Sequence, residues 1–76
     1  MVVTLGDNGF EVGADFVDAV SGIKLYHGSF TYRMPSGFSK SANWTSTLQA
    51  EQTERVLIAA AKIDGAKIVS FTWQRL

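Results

Sequence analysis

The sequence predicts an α+β fold, a mainly antiparallel sheet of four strands with one helix packed on one face, in the order β-β-β-α-β. Three observations carry this prediction. Apolar and polar residues alternate with a period of two near both ends of the chain, as in half-buried strands. One stretch, Thr47 to Ile63, repeats apolar residues at helical spacing. Glycine-rich and aspartate-rich turns separate the runs.

Met1 to Leu5 is a short β-prone run, and Gly6-Asp7-Asn8-Gly9 has the composition of a tight hairpin turn at positive φ. From Phe10 to Val17, Phe10, Val12, Ala14 and Phe16 share one parity while Glu11, Gly13 and Asp15 share the other. This reads as a second strand, although Ala14 to Val20 fits a helical turn equally. Asp18 to Gly22 is a second turn. Ile23 to Arg33, dense in β-branched and aromatic residues, is the third strand. Ile23 and Leu25 share one parity and Phe30 and Tyr32 the other, so a bulge is expected at Gly28.

Pro35-Ser36-Gly37 breaks that strand, and Phe38 to Thr45 has no period, so a loop of about a dozen residues is expected here. Ser46 and Gln49 have capping-box spacing ahead of the helix. Val56, Ala59, Ala60 and Ile63 form its core-facing stripe, and Gly65 its left-handed stop. Ala66 to Leu76 alternates again, with Val69, Phe71 and Trp73 on one side, as a final strand.

Composition bounds the function. The 76 residues are expected to form one compact domain over 1–76, and 46% hydrophobic and 18% charged residues suit an ordered core. A chain of this size buries only about 60% of its unfolded surface, which leaves little room to enclose a substrate. There is no cysteine, hence no thiolate nucleophile or disulfide framework. No apolar run is long enough to span a bilayer, and no secretory leader is visible, so a cytoplasmic protein without membrane contact is expected. Net charge is zero but unevenly placed. Residues 1–23 hold four acids, Asp7, Glu11, Asp15 and Asp18, and no Lys or Arg; residues 24–76 hold seven bases and three acids, a split of −4 and +4.

No catalytic residue, metal or cofactor is assigned. His27, the one histidine, has Asp15 and Asp18 as candidate orienting groups but reads better as a surface strand residue. The four early acids lack convergent spacing for a hard cation. GDNGFEVG has neither the spacing nor the following helix of a dinucleotide site.

Two surfaces remain. The expected loop contributes Arg33, Phe38, Lys40 and Trp44, the residue types that dominate interface energy, with folding back of Phe38 and Trp44 into the core as the competing reading. The outer helix face contributes Glu51, Arg55, Ile58 and Lys62, an apolar anchor among charges. Together they predict a non-catalytic module docking on a larger protein or nucleoprotein complex. In size and in lacking a site, the chain is similar to the small inhibitors made by phages and mobile elements, anti-CRISPR proteins among them. That likeness implies steric occupation of a surface, and no individual residue carries it. The alternative is single-stranded nucleic acid on an aromatic and basic sheet face, with Lys24, Tyr26, Tyr32, Lys67, Trp73 and Arg75. Homodimerisation through a sheet edge is compatible with either.

Overall fold

The computed structural model describes residues 1–76. Five strands and two helices follow in the order β1 (Val2–Gly6), β2 (Gly9–Gly13), α1 (Phe16–Ser21), β3 (Tyr26–Arg33), β4 (Ser39–Ser46), α2 (Ala50–Ile63) and β5 (Lys67–Arg75). The class is α+β as expected, but the sheet is mixed and has five strands, ordered β1-β2-β4-β3-β5. All neighbouring pairs are antiparallel except β2 and β4.

The extra strand is the expected loop. Its side chains do alternate: Lys40, Ala42, Trp44 and Ser46 share the parity of the core, and Ser39, Ser41, Asn43 and Thr45 share the other. The second set is small and polar, so the run lacks the β-branched signature of a strand. A cross-strand hydroxyl pair, Thr31 and Ser41 at 2.9 Å, ties it to β3.

The second strand is shorter than expected. It ends at Gly13, where Asp15 caps α1 by accepting from the Asp18 amide at 2.7 Å. The Asp18 carboxylate accepts from the Ala14 amide at 2.8 Å and the Thr47 hydroxyl at 2.6 Å. These bonds hold the Asp18 carboxyl below its ordinary pKa, the Thr47 hydroxyl being the larger cause. Ala19 is fully buried against Gly13, whose parity is that of Glu11, so α1 lies on the sheet face opposite α2.

Strand β3 starts at Tyr26, so Ile23 and Leu25 precede it and no phase change needs explaining. The ladder runs through Gly28 without a bulge; the irregularity falls at Thr31/Tyr32 opposite β5. There Val69 is the extra residue, which puts Ile68, Phe71 and Trp73 on one face and removes Val69 from it. Gly28 has a different task. A Cβ there would overlap the Thr72 carbonyl oxygen and sit 2.9 Å from Trp73 Cα. Its bare backbone also lets the Trp44 indole reach across β3 to stack on Phe71, ring centroids 5.1 Å apart and planes 11° apart.

Helix α2 begins at Ala50, three residues later than expected, and no side chain caps Gln49. Ser46 accepts instead from the Leu48 amide at 2.9 Å and from the Thr53 hydroxyl at 2.7 Å. The buried stripe is Ala50, Thr53 and Leu57, with Val56 partly buried beside it; Ala59 and Ile63 point to solvent. A polar Thr53 in the core is tolerated because Ser46, equally buried, satisfies its hydroxyl. Val12, Phe30, Trp44 and Leu57 form the core between α2 and the sheet. Gly65 ends the helix at φ +72°, as the sequence predicts. In the first turn, by contrast, only Gly9 takes a positive φ, and Asp7 and Asn8 do not. No helix is long and apolar enough to cross a membrane.

Candidate functional site

The register of β2 determines which end of the molecule projects. β2 pairs only with Trp44 to Ser46, so the first half of β4 has no neighbour on that side. The β3–β4 hairpin therefore extends beyond the β1–β2 pair, in a molecule of 36 × 23 × 22 Å. The hairpin is closed by the Met34 amide donating to Phe38 O at 2.7 Å and the Gly37 amide to Met34 O at 2.9 Å. The end of α2 reaches the same place, with Gly65 against Pro35.

The hairpin end and the C-terminal end of α2 therefore meet. Phe38 is 63% exposed at the hairpin end, with Arg33 and Lys40 exposed beside it. Glu51, Arg55, Ile58 and Lys62, at steps of four, three and four, are all exposed along the outer face of α2. Lys67 pairs with Arg33 across β3 and β5 on the sheet face away from α2, while Lys40 has the parity of the α2 face and Lys62 and Asp64 lie at the end of α2. Ile63, 86% exposed, belongs here although helical spacing assigned it to the core.

Trp44 does not belong here. It is 1% exposed and stacked in the core, so its place in the predicted contact surface is corrected. The physical reason is its parity in β4, which matches Phe30 and Val12. Its indole nitrogen is buried without a hydrogen-bond partner.

The predicted nucleic-acid set is divided. Tyr26, Phe30, Tyr32, Phe71 and Trp73 all share the parity of the α2 face, so the uncovered face is not aromatic. That open face carries His27, Ser29, Thr31, Asn43, Thr45, Thr72 and Gln74. Tyr26, Trp73 and Arg75 do meet at the opposite end of β3 and β5, with Tyr26 and Trp73 edge to face at 5.3 Å. Tyr32 and Lys67 lie at the far end of the same strands. Lys24 is engaged: its ammonium donates to Ala19 O at the end of α1 and lies 3.6 Å from the Glu11 carboxylate. Asp15 and Asp18, the groups considered for orienting His27, are engaged elsewhere, Asp15 as the cap of α1 and Asp18 with the Ala14 amide and the Thr47 hydroxyl.

A second apolar surface was missed. Phe16, Val17 and Val20 fall on one side of α1 and are exposed, as are Ile23, Leu25 and Leu76, the last donating its amide to Leu25 O at 3.0 Å. The only sequence signal was the helical option for Ala14 to Val20, which turns these side chains away from Ala19. The strand order also makes the charge split spatial. β1, β2 and α1, with the four early acids, form one flank, and β3 and β5, with Arg33, Lys67 and Arg75, form the other.

Comparison with family models, curated proteins and solved structures found no match to this chain.

Proposed function

We propose that the chain is a non-catalytic docking module that holds a larger protein through its projecting end, sterically, in the manner of a small inhibitor. The observation that carries this reading is the Pro35–Gly65 contact, which sets the hairpin end bearing exposed Phe38 beside the helix end bearing exposed Ile63 and Lys62. Exposed aromatic and aliphatic side chains ringed by long cationic ones are the composition of an interface anchor and rim. The surplus of cations fits a partner surface with acidic groups around an apolar recess.

The test compares the two apolar ends. Phe38→Ala and Ile58→Glu are expected to abolish partner binding with an unchanged circular dichroism spectrum, and Phe16→Ser to leave it intact. The reverse pattern would move docking to α1 and refute the projecting end.

A second reading rests on the Tyr26–Trp73–Arg75 corner, where Trp73 is 54% exposed beside a guanidinium-bearing residue. This corner would stack one or two bases of a single strand. Arg75→Ala would then weaken binding and flatten its dependence on salt, whereas the hairpin variants would not.

A further inference from the structure

The core is incomplete under the second half of α2. A cleft of about 140 Å³ lies there, open on one side. Phe10, Phe30 and Tyr32 form its sheet wall, with Phe10 and Phe30 centroids 5.6 Å apart and Phe30 and Tyr32 5.8 Å apart. Ala60 and Ala61 form the opposite wall, and their small side chains are why the space exists. Asp64 is the one charged residue of the lining.

Size and chemistry limit what fits. Natural cores leave few voids larger than a water, and an apolar cavity of about 150 Å³ is enough to take up benzene. Three aromatic walls favour a ring packed edge to face or offset. Asp64 is also the C-cap of α2, and its carboxylate offers a hydrogen-bond acceptor at the same edge. That edge accepts an O–H or N–H donor, which benzoate lacks. We propose that the cleft is a binding site for a single aromatic ring carrying a hydrogen-bond donor, phenol in size and chemistry. The occupant is a free small molecule, since about 140 Å³ holds one ring and little else. The site does not depend on the docking proposal, because a ring can enter whether or not a protein binds.

Titrating the ¹⁵N-labelled chain with phenol tests this directly. Saturable shifts in the millimolar range, centred on the amides of Phe30, Tyr32, Ala60 and Ala61, are expected, and benzoate should bind more weakly than phenol. Ala60→Leu should fill the cleft and remove the shifts. Asp64→Asn, an exposed change, should weaken phenol roughly two- to fivefold and leave toluene unaffected. Phenol alone producing these shifts supports a free compound; N-acetyl-tyrosine amide producing them equally would overturn it in favour of a partner's side chain. Unsaturable or scattered shifts, or equal binding of benzoate and phenol, would overturn the proposal.

Discussion

Replacing Trp44 by alanine and by phenylalanine should give very different proteins. The indole is 1% exposed and stacked on Phe71. Truncating a buried tryptophan to alanine costs about 3–5 kcal/mol, since transfer free energy and cavity add. A chain of 76 residues is held by roughly 4–11 kcal/mol in total, at the usual stability per residue. Trp44→Ala therefore removes a large fraction of the stability. Trp44→Phe keeps an aromatic ring for the stack and deletes the unpartnered indole N–H. Burying such a group unpaired costs about 1–3 kcal/mol, which offsets the loss of ring area. The net change should stay within about 1.5 kcal/mol. Urea denaturation followed by circular dichroism measures both. With m near 1 kcal/mol/M, alanine should lower the midpoint by about 3 M or more and phenylalanine by less than about 1.5 M. Equal midpoints for the two variants would refute the placement of Trp44 and, with it, β4 as an inner strand.

Gly28→Ala should also destabilise, by about 2–3 kcal/mol in the same assay, because the added methyl overlaps the Thr72 carbonyl of β5. A neutral Gly28→Ala would mean that β3 and β5 are not paired as described. Asp18 gives the pH dependence. Its carboxyl is lowered from the ordinary 3.8 in the folded state, so its stabilisation is full above the unfolded pKa and lost as pH falls through the lower folded value. Asp18→Asn should remove that acid-limb component and lower stability at neutral pH, as read from thermal midpoints at stepped pH. An unchanged acid limb would show that the Thr47 and Ala14 bonds do not form. Phe38→Ala, 63% exposed, should change the folding midpoint by less than about 0.5 kcal/mol, which separates binding loss from unfolding.

Much of the architecture was legible because it rests on local signals. The Gly6–Gly9 hairpin, the amphipathic run ending at Gly65 and the final strand each have a period or a turn residue that names them. β4 was not legible, because its register to β3 and β2 and its hydroxyl pairs are non-local properties that Ser-Lys-Ser-Ala-Asn-Trp-Thr-Ser does not advertise. The same gap misassigned Trp44, since a residue without a strand has no parity. The helix stripe shifted because Thr53 enters the core only with Ser46 to accept its proton, a partner seven residues away. Phe38, Ile58 and the charged residues around them were readable as surface from residue type. That the hairpin end and the helix end meet was not, because Pro35 and Gly65 are brought together by the sheet order alone.

Protein docking is best tested by a tagged pull-down from a lysate of the source organism or its host, with and without nuclease. One stoichiometric protein partner is expected to survive nuclease and to be lost with the Phe38→Ala, Ile58→Glu double variant. A partner set that disappears with nuclease, or one that the double variant still captures, would contradict it.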